Sequence, residues 1–149
     1  MARRTALLVL SSANAVPAIM THGGCVVLQE SFEPGEALAL IERERCSVYY
    51  GVANMARALL EHKDHPKRRL GAMRTGLTIG PPEDIAITIG AVGAAELCNV
   101  YGSTETHGNC AVTDAKDPLP VRLRTQGSTA SRNGNTYCRP RHAAAAGHR

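Results

Sequence analysis

Between residues 25 and 101 the apolar positions of this chain alternate between two rhythms. Cys25-Val26-Val27-Leu28 follows Gly23-Gly24 as a short unbroken apolar run, the pattern of a buried strand. Pro34 opens a stretch in which Ala37, Leu40 and Ile41 share one helical face, while Glu36, Arg43 and Glu44 point to solvent. Ser47-Val48-Tyr49-Tyr50 reads as the next strand, ended by Gly51, and residues 54–62 as a helix built on Met55, Ala56, Leu59 and Leu60. Residues 62–69 form a polar loop, and its His62 and His65, without further ligands nearby, read as solvated rather than as a metal pair. Residues 73–79 predict a third strand, and Gly80-Pro81-Pro82 a strand-to-helix turn. The helix that follows has Glu83 and Asp84 in its first turn and Ile85, Ala86, Ile89 and Val92 on its apolar face. Ile85, Ile87 and Ile89 also alternate as in a strand, so that alternative stays open here. Residues 97–101 are the fourth strand. Strands separated by single helices imply parallel pairing with right-handed crossovers, and hence an α/β fold with a parallel sheet and flanking helices.

Composition changes this picture in three places. A length of 149 residues allows one ordinary domain, with 44% hydrophobic and 20% charged residues, as in soluble globular chains. The aromatic content is only 3%, with no Trp and one Phe, fewer anchors than a self-sufficient core of this size carries, which predicts a piece of something larger. The net charge of +4 belongs to the C-terminal end: residues 122–149 hold six arginines (Arg122, Arg124, Arg132, Arg139, Arg141, Arg149) and no acid, leaving a net of −2 before them. After about Gly127 no apolar period survives, so residues 128–149 read as a disordered basic tail. Such a tail could bind anionic surfaces weakly, but no base-reading module points to a specific nucleic-acid partner.

Five cysteines are present, none spaced as Cys-x-x-Cys. Cys25, Cys46 and Cys98 lie in apolar strand-like settings, which reads as buried, reduced thiols of a cytoplasmic protein. The N-terminus imitates a secretory leader, with basic Arg3-Arg4, apolar residues 6–10 and Ala13-Asn14-Ala15. Its apolar segment is shorter than the usual leader core. No apolar run is long enough to span a membrane.

The chemistry concentrates in Asn99-Val100-Tyr101-Gly102-Ser103-Thr104-Glu105-Thr106, at the carboxyl end of the fourth strand, the edge where open α/β sheets bind ligands. Tyr101 offers a flat face for a base. Gly102 lets backbone approach a phosphate closely. Ser103 and Thr104 bring hydroxyls for phosphate oxygens, and Glu105 is a hard oxygen ligand for Mg²⁺.

This stretch resembles the [Tyr/Phe/Trp]-Gly-x-Thr-Glu motif of the adenylate-forming enzymes, which include acyl-CoA synthetases, peptide-synthetase adenylation domains and luciferases. The resemblance runs roughly over residues 12–127, a partial AMP-binding domain. It implies one subdomain of the N-terminal domain of such an enzyme. By resemblance, Tyr101 stacks on adenine, Thr104 contacts the α-phosphate and Glu105 holds Mg²⁺, so Thr104 and Glu105 are the implied catalytic residues. Thr78-Ile79-Gly80-Pro81 stands where the family has a Gly-Gly-Ala-Pro-like loop lining the adenine and acyl site. There Gly80 and Pro81 are kept in kind, and Thr and Ile replace the earlier glycines. Taken alone, that segment is equally a plain turn.

The implied chemistry is an acid–CoA ligase reaction. A carboxylic acid attacks the α-phosphate of ATP, giving an acyl-adenylate and pyrophosphate, and a thiol, usually that of coenzyme A, takes the acyl group. The sequence lacks the family's Ser/Thr/Gly-rich triphosphate loop ending in Pro-Lys-Gly, its ribose-binding Asp motif and its C-terminal domain with the catalytic lysine. The expectation is therefore a chain that does not complete adenylation alone and whose partners, besides acid and nucleotide, are the missing parts of a parent enzyme. A truncated gene read out of frame at its 3′ end would give this composition. The competing readings are a non-catalytic nucleotide-binding remnant and a basic-tailed interaction protein.

Overall fold

A computed structural model describes residues 5–8, 12–103, 105 and 108–129. Among the described residues seven strands form one mixed sheet, in the order β2-β1-β3-β4-β5-β6-β7. The strands are β1 Thr5–Leu8, β2 Cys25–Leu28, β3 Val48–Tyr50, β4 Thr75–Thr78, β5 Glu96–Ser103, β6 Gly108–Val112 and β7 Ser128–Thr129. The helices are α1 Ser12–Thr21, α2 Pro34–Arg43, α3 Ala53–Glu61, α4 Pro82–Val92 and α5 Leu119–Arg124. From β2 to β5 all neighbours are parallel, as the alternating pattern requires. The sheet then continues through an antiparallel β5–β6 hairpin to β7, so the expected parallel sheet is in fact mixed. The reason is connection length: only a short loop separates β5 from β6, and a parallel return needs a crossover of a dozen or more residues.

Strand β1 lies in the interior of the sheet, paired with β2 on one side and β3 on the other. The apolar N-terminal stretch that imitates a leader is thus a sheet strand in part. The segment 82–92 is a helix, which settles the Ile85-Ile87-Ile89 ambiguity. Pro81 and Pro82 open it, Glu83 and Asp84 occupy its first turn, and Gly93 ends it at φ 71°. Helix α2 is capped by Glu33, whose carboxylate accepts from the amides of Gly35 and Glu36.

The alternation of β3 divides the core. Tyr49 packs with Ala37, Leu38 and Ile41 of α2, Ala56 and Leu59 of α3, and Ala91 and Val92 of α4. Val48, with the partly buried Tyr50, faces the other way, onto Ala15 and Ile19 of α1. The sheet therefore carries α2, α3 and α4 on one face and α1 on the other, with α5 against α4 and β5. Among the described residues no helix is long and apolar enough to cross a membrane. The predicted tail lies outside the described residues from residue 130 on; its first two residues form β7.

Cys46 and Cys98 are buried as expected, Cys110 is half-buried, and Cys25 is exposed because β2 is an edge strand. Cys138 lies outside the described residues. The polar loop at residues 62–69 is more structured than expected. It contains a 3₁₀ turn at His65–Lys67, and the His65 ring contacts the Ala91 carbonyl of α4 at 2.7 Å.

Candidate functional site

The parallel register builds the site. Thr78 of β4 is opposite Asn99 of β5. Gly80 lies two residues past the first and Tyr101 two past the second, so both segments emerge at the carboxyl edge of adjacent strands. Beyond Thr78 the chain turns through Gly80, at φ 155°, into Pro81 and α4. Ile79 and Tyr101 are both exposed large apolar side chains there, Tyr101 at 50%. The Tyr101 ring therefore does not fill the core, and it lies at the edge where open α/β sheets bind ligands. The chain-order switch that generally locates ligands in such sheets falls at β1 and β3, two strands away, and residues 9–11 after β1 lie outside the described residues.

The acids of α4 qualify the role of this edge. Glu83 and Asp84 already stand at the positive end of the helix, and Asp84 pairs with Arg57 of α3. A phosphate at that helix terminus would meet two carboxylates. Gly80 and Pro81 therefore suit an uncharged part of a ligand better than its phosphates.

Gly102 has a structural task besides any phosphate approach. Its Cα faces the Gly108 carbonyl across the hairpin, closer than a side chain would allow. The ladder slips between Tyr101 and Gly102, the signature of a bulge, and the Cys110 thiol donates to the Tyr101 carbonyl at 3.5 Å. Ser103 ends the strand, and its hydroxyl hydrogen-bonds the Glu105 carboxylate. That bond, with a bond from the Glu105 amide, holds the Glu105 carboxyl below the usual carboxylate range. Glu105 is exposed, and an ionised, exposed carboxylate suits a Mg²⁺ that takes its other ligands from phosphate and water. Among the described residues no group of three or more His, Cys, Asp and Glu side chains could hold a metal without such help. Thr104 lies outside the described residues.

Sequence reasoning missed what holds β5. Asn99 is 2% exposed, and its amide donates to the Thr113 hydroxyl while its side chain donates to the Thr125 carbonyl. Arg122, counted above among the arginines of a solvated tail, is 7% exposed. It donates to the carbonyls of Ala95, Leu97 and Asp117. The sequence gives no sign of such bonds, because their acceptors are backbone atoms.

A mixed α/β sheet with flanking helices presents an exposed aromatic ring and an exposed carboxylate at its carboxyl edge. The AMP-binding enzyme model matches residues 8–138, and the chain belongs to that family. It is 32% identical over 120 residues to the medium-chain fatty-acid–CoA ligase of Escherichia coli (strain K12), covering 79% of this chain and 21% of that one. Among solved structures it is similar to the amide bond synthetase McbA from Marinactinospora thermotolerans, with 26% identity and a TM-score of 0.62 over 80% of this chain and 26% of that one. The fold is shared with the O-succinylbenzoate coenzyme A synthetase MenE from Bacillus subtilis, solved in complex with ATP and magnesium ion (TM-score 0.64, 22% identity, 85% and 27% coverage). The chain spans about a fifth of the length of the curated relatives it matches.

Proposed function

We propose that this chain carries the adenine- and α-phosphate-facing edge of an ATP-dependent acid–CoA ligase. The observation that carries the reading is the convergence of residues 80–81 with residues 101–103 at one carboxyl edge, with Tyr101 exposed and the nearby Glu105 ionised. In this reading Tyr101 stacks on adenine, Gly80 and Pro81 border the base and acyl side, and Gly102 and Ser103 shape the turn. Thr104 would donate to an α-phosphate oxygen, and Glu105 would hold Mg²⁺, which when bound would supply neutralisation of phosphate charge. The bond formed joins the acid oxygen to the α-phosphorus, the bond broken releases pyrophosphate, and a thiol such as that of coenzyme A then displaces AMP from the acyl group.

The relatives' names as CoA ligases and the solution of MenE with ATP and magnesium support this reading. The free cysteines fit a reducing cytoplasm. Residues 80–105 supply no cationic cradle for the β- and γ-phosphates, so the chain is expected to bind MgATP without sustained turnover. Calorimetric titration of the 149-residue chain with MgATP tests this. Saturable binding lost in Glu105→Ala supports it. The absence of binding, or steady pyrophosphate release that Glu105→Ala abolishes, overturns the first or the second half of the reading respectively.

A further inference from the structure

Strand β5 is paired on opposite sides along its two halves. Residues 96–99 pair with β4, and residues 100–103 pair with β6. Over the first half, the outer edge of β5 has no neighbouring strand, although Leu97 and Asn99 are buried. Unpaired backbone groups there would carry a full desolvation cost. Side chains of the segment after β6 take the place of the ladder. The Thr113 hydroxyl accepts from the Asn99 amide at 2.9 Å and lies 3.4 Å from the Asn99 carbonyl, to which the Thr113 amide donates at 3.0 Å. Two residues upstream, Arg122 Nη1 donates to the Leu97 carbonyl at 2.7 Å, and two further upstream to the Ala95 carbonyl at 2.9 Å. Arg122 Nε donates to the Asp117 carbonyl at 3.0 Å, which fixes the guanidinium from behind. The row Ala95, Leu97, Asn99 is the outward-facing set of a strand, served at the spacing of a strand by two side chains.

Arg122 is a buried cation that takes its partners from carbonyls alone among its described bonds. Such a site uses the planar fork of arginine rather than its charge, and a lysine could not reproduce it. The β6 ladder begins at Val100 and pairs Tyr101 with Ala111 before its register slips between Tyr101 and Gly102. The bonds to Asn99 therefore join the side-chain-served half of the outer edge to the short ladder that carries the exposed Tyr101.

We propose that Thr113 and Arg122 are positioning residues for the carboxyl end of β5: they stand in for the strand that its first half lacks and so set where residues 101–103 are held. That this end meets a nucleotide rests on the function proposed above. The positioning itself does not.

The test is amide hydrogen exchange on the full chain, read in peptides covering residues 97–105 and, as an internal reference, α3. Thr113→Val keeps the shape and removes the hydroxyl, and Thr113→Ser restores it. Arg122→Lys keeps the charge and removes the fork. Thr113→Val and Arg122→Lys are expected to speed exchange over residues 97–105 by about tenfold, the scale of one buried backbone group losing its partner, with α3 unchanged. Thr113→Ser is expected to exchange as the parent chain does. MgATP affinity should fall by about tenfold in the same two variants and recover in Thr113→Ser. Unchanged exchange at β5 in both variants, or equal loosening of β5 and α3, overturns the proposal. If the parent chain binds no MgATP, the nucleotide reading fails and the exchange result still decides the positioning. If Arg122→Lys does not fold, the Thr113 pair decides alone.

Discussion

A Cβ on Gly102 would lie 2.1 Å from the Gly108 carbonyl oxygen, whereas Tyr101, its neighbour, is half exposed. These adjacent residues of one motif therefore predict opposite behaviour. Gly102→Ala must push β6 away from β5 at the bulge, and overpacking of this kind costs about 1–3 kcal/mol. Tyr101→Ala removes a ring that little of the fold leans on and should change stability by less than about 0.5 kcal/mol. On the proposed function its effect falls on the ligand instead, and the loss of a base-stacking ring is expected to cost about 1–3 kcal/mol of MgATP affinity. Urea unfolding and MgATP titration on both variants check this. A stable Gly102→Ala chain, or unchanged MgATP affinity after Tyr101→Ala, contradicts the assignment. At this scale the sequence displayed the motif because its residues are contiguous and chemically distinct. It hid the second use of Gly102, since the clashing atom belongs to a backbone that only the hairpin brings near. Arg122 was hidden for the same reason: its acceptors on Ala95 and Leu97 lie 27 and 25 residues upstream and have no side-chain signature.

Elements with a clean apolar period were legible: β2, α2, β3, α3, β4, α4 and β5 all fall where the run or the helical stripe placed them, within a residue or two at most ends. Strand β1 was not, because a five-residue apolar stretch behind two arginines has the look of a leader, and its two neighbours in the sheet arrive from residues 25–28 and 48–50. Helix α1 carries Pro17 in its interior, which in sequence argues against a helix at that point. Strand β6 alternates poorly, and α5 is a six-residue helix whose Leu119 and Val121 face solvent, so no amphipathic stripe marks it. The legible period has an energetic counterpart in α3. Leu59 is fully buried between sheet and helices, and Leu60, one position on, is 46% exposed. Leu59→Ala should destabilise the chain by about 2–5 kcal/mol through a cavity, and Leu60→Ala by less than about 0.5 kcal/mol. Equal unfolding midpoints in urea for the two variants would show that α3 does not pack as described.

The titrating groups of the whole molecule divide by sign and bound its stability from both sides. Glu42 is held below the usual carboxylate range by hydrogen bonds from the Arg68 side chain and the Arg69 amide. Glu33 is held low by the amides of Glu36 and Gly35, Asp64 by the Lys67 ammonium, and Glu105 by the Ser103 hydroxyl. Each folded carboxyl thus binds its proton less readily than the unfolded one. The stabilisation they share is fully present above the ordinary values of 4.5 for Glu and 3.8 for Asp, and is lost as pH falls through the lowered folded values. All four lie at the surface, so each contribution is small and screened by salt, and the acid limb should be shallow. The basic side is governed by burial. The Cys46 thiol is pushed up to about 11 from an ordinary 9.0, and burial also raises Tyr49, Cys98 and the partly buried Tyr50. The unfolded chain therefore releases these protons first. Stability is intact below the ordinary thiol value and falls as pH rises from 9.0 towards about 11. The melting temperature is accordingly expected to hold a plateau across neutral pH, decline gently below about pH 4.5, and drop steeply above about pH 9. Replacing the thiol in Cys46→Ala should lower the plateau by removing a buried side chain, yet make the basic limb shallower, since one raised group no longer titrates. A basic limb that keeps its slope in Cys46→Ala would mean that the thiol does not titrate from a buried site, and that the cluster joining α2, β3 and α4 admits water at Cys46.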